Sequence, residues 1–181
     1  KVDFYAPAQE GQERVIREAL AMAGLSPSDI GYIEAHGTGT PLGDPIELAA
    51  LASIFSPEAV GDGAVAIGSV KSSIGHLHTA AGVTGLVKAA LMLREKTLCP
   101  SLHYTAPNPH SVLAERSAFR VVTATTPWKA PTSGGPRRAG GGRLFCRASR
   151  PRRPRRARKR RGRMRRLRML RMRTTRARAT P

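Results

Sequence analysis

Segments with helical periodicity alternate with short apolar runs along this chain, and that alternation limits the folds open to it. Residues 10–24 place apolar side chains at helical spacing, and Gly24 stands where a helix would end as its C′ residue. Continuous apolar runs of strand length follow at 30–35 and 64–70. Such runs are typical of strands buried on both faces of a parallel sheet.

Two more helices and one more strand extend the pattern. We expect a helix at 44–55, a long helix at 79–94 and a strand at 119–125. Asp44 fits the N-cap of the first helix and Glu47 its third position, as in a capping box. The long helix carries an apolar stripe, made of Ala80, Val83, Leu86, Val87, Ala90 and Leu91. The order of elements predicts an α/β fold with helices layered on a sheet.

The net charge of +19 describes neither end of the chain, because the charges are unevenly distributed. Residues 1–136 hold all 12 acidic residues and only ten basic ones, whereas residues 137–181 hold 21 basic residues and no acidic one. We therefore divide the chain into a globular region, 1–136, and an Arg/Pro-rich tail, 137–181. We expect the tail to be disordered and to bind polyanions in a salt-sensitive way.

Targeting and cysteine patterns favour a reduced, cytoplasmic setting. The chain shows no basic segment followed by an apolar one, so no secretory signal is predicted. The longest apolar stretch, 79–93, is interrupted by Lys88 and is shorter than the roughly 18–20 residues of a membrane span. Cys99 and Cys146 lie far apart and form no disulfide or metal pattern. We expect Cys99 to be a partly buried structural residue.

Two loops, each with a histidine, occupy equivalent positions. His36 and His76 each follow a strand-like run and precede a predicted helix. Ligands of open α/β sheets bind at the carboxyl ends of strands, so we expect the two loops to converge on one pocket. A neutral imidazole there could donate to a carbonyl oxygen as negative charge develops, which is worth about 3 kcal/mol. Lys71 would add a positive charge to the second loop.

The alternative is that either histidine is an ordinary turn residue on the surface. We assign that role to His78, His103 and His110, since none of them shares the strand–loop–helix context of His36 and His76. Convergence of the two loops would favour a functional site over this alternative.

Three segments, in this order and spacing, carry a family resemblance: "EAHGTGTPLGDPIE", "VKSSIGHLHTAAGVTGLVKAALML" and "PSLHYTAPNP". Together they resemble the C-terminal half of β-ketoacyl synthases, specifically the ketosynthase domains of modular type I polyketide synthases. The resemblance covers about residues 4–140. It implies a thiolase-like fold, in which two related α/β halves stack in five layers, and a homodimer in the intact enzyme. It also implies an acyltransferase that performs decarboxylative Claisen condensation of acyl and malonyl-type thioesters.

The resemblance assigns roles to individual residues. His36 and His76 match the histidines that decarboxylate the extender unit and stabilise its enolate, and Lys71 matches the lysine that orders the site. Thr38 and Thr40 match threonines that contact the phosphopantetheine arm of acyl carrier protein. That arm carries the substrate, and no bound cofactor or metal is implied. The structural loop positions are Gly37, Gly39, Asp44, Glu47 and Gly75.

Two departures from the family bear on activity. The nucleophilic cysteine of the family belongs to the N-terminal half, and neither Cys99 nor Cys146 matches it. After "RRAG" the family continues as SFGFGGTNAH, whereas this chain becomes Arg-rich. Codons for residues 142–145, read one base later, permit Val-Gly-Ser-Phe, so we expect a frameshift near Gly140. We expect the chain to be inactive in condensation unless an N-terminal half complements it.

Two other functions stay open at this point. The chain could be a polyanion-binding protein in which the globular region serves as a scaffold for the tail. It could also be a related thiolase-type or starter-unit enzyme, although a pair of histidines suits decarboxylative condensation better.

Overall fold

The computed structural model describes residues 8–108, 111, 113, 116–132, 134–141 and 144–147. The helices are α1 (Gln9–Ala23), α2 (Gly43–Ala52), α3 (Pro57–Val60), α4 (Lys71–Ile74) and α5 (Ala81–Glu95). The strands are β1 (Tyr32–Glu34), β2 (Val65–Gly68), β3 (Thr97–Leu98), β4 (Phe119–Val121), β5 (Thr126–Pro127), β6 (Arg138–Gly141) and β7 (Leu144–Arg147). The chain divides into one unit of residues 1–150 and another of 151–181, and the second lies outside the described residues.

One five-stranded sheet organises the first unit. Its order is β4-β2-β1-β6-β7, and all neighbours are parallel except β6 and β7. β3 and β5 form a separate antiparallel pair. The carboxyl ends of β1 and β2 lie side by side at one edge of the sheet, which brings the loops that follow these two strands together.

Both faces of the sheet are buried, which confirms the predicted layering of helices on a sheet. Successive side chains of a strand point to opposite faces. Ile33 and Ile67 pack with α1 and the end of α2, in a cluster that includes Leu20 and Phe55. The other face holds Tyr32, Ala66, Ala89, Met92, Leu93, Leu98, Val122, Trp128 and Ala139.

The ends of the helices follow the sequence only in part. Gly24 closes α1 at φ 62°, and its backbone N–H donates to carbonyl groups of the last turn, as predicted. The capping box predicted for α2 is wrong, because the helix begins at Gly43 and its N-cap residue is Leu42, whose side chain makes no capping hydrogen bond. The carboxylates of Asp44 and Glu47 instead accept hydrogen bonds from the loop that precedes the helix. Backbone N–H groups of that glycine-rich loop compete successfully for both side chains.

The apolar stripe of α5 does not face the sheet. Val83, Val87 and Leu91 are 57%, 51% and 44% exposed, whereas Ala89 and Met92 on the opposite side are buried. The helix is therefore apolar on two sides, and the sheet covers only one of them. The exposed side is free to pack against another element.

The sheet extends beyond the boundary that we placed between 136 and 137. β6 pairs in parallel with β1, and β7 pairs with β6, so residues assigned to the tail by their composition take part in the sheet. The division at 136/137 stays a prediction for the rest of the tail, which lies outside the described residues from 148 onward.

Two expectations from the sequence can be compared directly with the fold. Cys99 is exposed rather than partly buried, because it follows the buried Leu98 and successive side chains of an extended segment point to opposite sides. Its backbone N–H donates to Met92 Sδ at 3.3 Å. Among the described residues, every helix is too short or too polar to cross a bilayer.

Candidate functional site

The loop after β1 is held by two carboxylates of α2. Glu47 accepts from the backbone N–H of His36 at 2.7 Å and from that of Gly37 at 3.0 Å. Asp44 accepts from the N–H of Gly39 at 3.1 Å. Loop N–H groups without strand or helix partners need acceptors, and these side chains supply them. The backbone of His36 is thereby tied to α2.

Glycine is required where this loop approaches the next one. Gly37 has φ 48°, and a Cβ there would lie 2.8 Å from the Cβ of Ser69. The neighbouring hydroxyls of Thr38 and Thr40 belong to the same loop. Thr40 Oγ1 accepts from the N–H of Gly43 at 3.1 Å, at the start of α2, and lies 3.3 Å from Thr38 Oγ1.

Lys71, the first residue of α4, contacts the first histidine. Its Nζ donates to the carbonyl oxygen of His36 and lies 3.5 Å from His36 Nδ1. An ammonium has no acceptor, so in this contact Nδ1 is the acceptor and the neutral ring carries its proton on Nε2. Ser69 Oγ also donates to the His36 carbonyl oxygen, at 3.3 Å.

The structure brings the two histidines together. The ring centroids of His36 and His76 lie 5.4 Å apart, with an interplanar angle of 85°. Gly75, at φ 75°, ends α4 and turns the chain toward His76. The backbone N–H of His78 donates to His76 Nδ1 at 3.0 Å, so the proton of the neutral ring is again on Nε2. Both rings are exposed in this chain.

The surroundings of His76 favour its neutral form. Desolvation lowers the pKa of His76 first, and the positive charge of Lys71 and the imidazoles of His36 and His78 lower it further. His78 stacks on His76 with centroids 5.2 Å apart and has φ 47°, in the left-handed region. Sequence reasoning missed His78, because the turn that stacks its ring on His76 is not visible in the spacing.

A buried carboxylate beneath the loops was also missed. Glu34, at the end of β1, is 6% exposed, and its Oε2 lies 2.9 Å from Lys88 Nζ of α5. Tyr32 donates its hydroxyl proton to Oε2, and the backbone N–H of Val70 donates to Oε1. Burial, followed by the charge of Glu34, raises the pKa of Tyr32 well above its usual range. The sequence held one clue to this pair, since Glu34 and Lys88 are charged residues within otherwise apolar segments.

Two cavities flank Lys71. One, of about 230 Å³, lies between the His36 loop, the first turns of α5 and β6. The other, of about 340 Å³, lies between the His36 loop and the segment Ser101–Tyr104, and Thr38 and His103 are in its wall. Burial raises the pKa of Tyr104 at this second cavity.

The remaining expectations from the sequence concern metals and one further histidine. Within the described ranges, no group of three or more His, Cys, Asp or Glu side chains is arranged to hold a metal ion. His110 lies outside the described residues.

Comparison with known proteins identifies the family to which this chain belongs. The family model "Beta-ketoacyl synthase, C-terminal domain" matches residues 1–105. The chain is 48% identical over 123 residues to Probable polyketide synthase 17 of Dictyostelium discoideum, and the match spans 68% of this chain and 5% of that protein. It is 47% identical over 132 residues to the polyketide synthase ThaG of Burkholderia thailandensis, spanning 72% and 2%. The chain thus corresponds to a small part of these relatives.

Solved ketosynthase structures share the fold. The ketosynthase from module 6 of the bacillaene synthase of Bacillus subtilis 168 aligns with a TM-score of 0.77 and 39% identity, over 83% of this chain and 28% of that one. A ketosynthase domain of oxazolomycin biosynthesis from Streptomyces albus JA3453 aligns with a TM-score of 0.74 and 40% identity, over 82% and 28%. These alignments confirm the thiolase-like fold. The chain therefore belongs to the β-ketoacyl synthases, as a C-terminal part of a ketosynthase of the polyketide synthase type.

Proposed function

We propose that this chain supplies the enolate-stabilising part of a ketosynthase that performs decarboxylative Claisen condensation. The contact between the rings of His36 and His76, 5.4 Å apart, carries the proposal. In both neutral rings Nδ1 accepts a hydrogen bond, so both Nε2–H groups are free to donate to one carbonyl oxygen.

The chemistry follows from these two donors. Both Nε2–H groups would donate to the thioester carbonyl oxygen of a malonyl-type unit. The C–C bond to the carboxylate breaks, CO2 leaves, and the electron pair becomes an enolate whose oxygen the histidines stabilise. The enolate carbon then attacks an acyl thioester on a cysteine of the N-terminal half, and the cysteine thiolate leaves. Removing one such donor typically costs a factor of about 10²–10³ in rate.

Lys71 acts through the histidines in this scheme. Its ammonium holds the carbonyl group of His36 and lowers the pKa of His76. A neutral His76 can donate from Nε2 without transferring a proton to the enolate. Lys71 thus keeps the donor pair in place and in the required protonation state.

The substrate would arrive on acyl carrier protein. Thr38 and Thr40 lie on the loop that carries His36, where their hydroxyls could bind the phosphopantetheine arm. The partners are therefore acyl carrier protein, the N-terminal ketosynthase half and, in the assembled enzyme, a second copy. No other cofactor enters the proposal.

The isolated chain is expected to be inactive in condensation. The acyl-accepting cysteine belongs to a part of the family that this chain does not match, and Cys99, although exposed, follows β3 and lies outside the histidine loops. The rings of His36 and His76 and the apolar stripe of α5 are exposed, as expected of surfaces that the rest of the enzyme covers.

Complementation tests this function. The chain would be mixed with the part of the bacillaene module 6 ketosynthase that it does not match, together with malonyl-loaded carrier protein, and CO2 release and C–C product would be measured. We expect activity only in the mixture. His36→Ala and His76→Ala should each reduce it about 10²–10³-fold, whereas Arg14→Ala, on the exposed face of α1, should not. Product from the chain alone, or full activity without either histidine, would refute the proposal.

A second candidate, polyanion binding, is supported by the composition of the tail. Residues 137–181 contain 21 basic and no acidic residues. Attraction to phosphates by such a segment is independent of nucleic-acid sequence and weakens with salt. This activity does not depend on the histidine site.

A further inference from the structure

The buried carboxylate of Glu34 has no part in the chemistry proposed above, yet it lies directly beneath the two histidine loops. We propose that Glu34 is a positioning residue, which fixes the start of α4 so that the Lys71 ammonium lies against His36. This role rests on the proposed function of the site and deepens it.

The two oxygens of this carboxylate accept hydrogen bonds from different groups. Oε1 accepts from the backbone N–H of Val70, the residue immediately before α4. Oε2 accepts from Tyr32 and from Lys88, whose Nζ lies 2.9 Å away. Glu34 is 6% and Lys88 11% exposed, so the pair neutralises its own charge inside the protein.

The carboxylate therefore joins three elements at one point. It belongs to the end of β1, binds the segment after β2 through Val70, and binds α5 through Lys88. The next residue after Val70 is Lys71, whose Nζ reaches the carbonyl oxygen and Nδ1 of His36. A change in the Glu34 carboxylate consequently passes to Lys71 through one peptide unit.

Close packing keeps the carboxylate in this orientation. A Cβ at Gly85 would lie 3.0 Å from Glu34 Cγ, and one at Gly141 would lie 3.3 Å from Glu34 Cβ. Helix α5 and strand β6 thus enclose the side chain on two sides. The two glycines leave the Glu34 side chain space that a larger residue would occupy.

A second ion pair offers a matched control. Asp29 and Arg138 form a 2.8 Å contact between the turn before β1 and the first residue of β6. This pair also links a carboxylate to a cation, and among the described residues no contact joins it to α4 or to the histidines. The side chains of Asp29 and Arg138 are 32% and 17% exposed, so their separation reports the general effect of breaking a partly buried ion pair.

The test is a histidine titration by NMR on the full chain. The groups that face His76 are Lys71, His36 and His78. If Glu34 holds Lys71 in place, Glu34→Met, which removes both acceptor oxygens, should raise the midpoint of His76, as Lys71→Met does, and should have no further effect when Lys71 is already Met. Loss of the carboxylate charge alone would lower the midpoint, so the sign separates positioning from direct electrostatics. A lowered or unchanged midpoint would overturn the proposal.

Two measurements protect the test against unfolding. Glu34→Met combined with Lys88→Met removes both buried charges and should again raise the His76 midpoint. In the unaltered chain, the Val70 amide proton should exchange slowly with solvent, and exchange at the unprotected rate would by itself contradict the proposal. Asp29→Asn should leave the His76 midpoint unchanged. If it raised the midpoint as Glu34→Met does, positioning by Glu34 would be refuted.

The result of the His76 titration can be distinguished from the result of the complementation test. The titrations need neither substrate nor the N-terminal half. A raised His76 midpoint together with failed complementation would leave Glu34 as a positioning residue and overturn the condensation role. Successful complementation without the raised midpoint would support the condensation role and overturn positioning by Glu34.

Discussion

Some side chains of this site hold the loop backbone in place and take no part in the proposed chemistry. Glu47 and Asp44 accept from three backbone N–H groups of the His36 loop, although the sequence around them is typical of a helix cap. A loop rich in glycine has few side chains to satisfy its own backbone. The carboxylates of the following helix provide that satisfaction and thereby set the position of His36.

Glu47→Ala should lower the free energy of unfolding by about 1–3 kcal/mol, because two N–H groups lose their acceptor. Urea unfolding followed by circular dichroism measures the change. The control is Glu18→Ala, whose partner Arg14 lies 3.8 Å away with both side chains exposed, and which should cost less than about 0.5 kcal/mol. Equal losses in the two variants would contradict this account of the loop.

The pKa of His76 gives stability a pH dependence of known sign. Because that pKa is lowered in the folded chain, the unfolded chain binds the proton more readily, and stability falls as the pH drops below about 6.5. His76→Gln should remove this part of the loss between pH 7.5 and 5.5. Lys71→Met should reduce it, since one cause of the lowered pKa is gone. Unfolding free energies that fall equally in all three chains would refute the expectation.

At the scale of the elements, α5 shows how one helix can serve two partners. Its buried side carries Gly85, Ala89, Met92 and Leu93, and its other side exposes the apolar stripe. Gly82 and Gly85 lie three residues apart on this helix, but only Gly85 approaches another side chain closely.

Gly82→Ala should stabilise the chain by about 0.5–1 kcal/mol, since alanine has the higher helix propensity and nothing lies within 4 Å of the new Cβ. Gly85→Ala should destabilise it instead, because the new Cβ lies 3.0 Å from Glu34 Cγ, which its hydrogen bonds hold in place. Thermal unfolding of the two variants provides the comparison. Equal stabilisation by both would show that Glu34 is free to move.

At the scale of the whole molecule, the described unit has a buried core and leaves its candidate site exposed. Each face of the sheet carries a cluster of buried apolar side chains. The histidine rings and the stripe of α5 remain exposed together on the same unit.

Val87→Lys should change stability by less than about 0.5 kcal/mol, because Val87 is already 51% exposed. In the mixture with the N-terminal half, the same change should abolish CO2 release by burying a charge in the new contact. Met22→Lys, at a side chain 90% exposed on α1, should alter neither property. Unchanged activity of the Val87→Lys mixture would exclude the stripe as the contact surface.

The tail should dominate any binding to nucleic acid. Binding of the full chain to duplex DNA should weaken steeply with salt, and a chain ending at Arg147 should bind weakly with a shallow salt dependence. The cut is placed after β7 so that the strands paired with β1 are kept. Fluorescence anisotropy at several salt concentrations measures both slopes, and equal slopes would assign the binding to the globular unit.

Local sequence was enough to predict three strands of the sheet, β1, β2 and β4, and the two loops that carry histidines. Helical periodicity, apolar runs and Gly24 act over a few residues, so α1, β1, β2 and α5 were expected near their observed positions. The short helix α4 and the strand β6 were not expected, because "KSSI" has no clear periodicity and "RAGG" begins an Arg-rich stretch.

The sequence by itself determined the fold class, the family and the candidate residues, because those depend on local patterns and on motif spacing. Only the tertiary structure decided the distance between His36 and His76, the acceptors at their Nδ1 atoms and the pairing of Glu34 with Lys88. It also decided which face of α5 is covered. These features join residues that lie tens of positions apart, and their geometry is set by how β1, β2 and α5 pack rather than by any short segment.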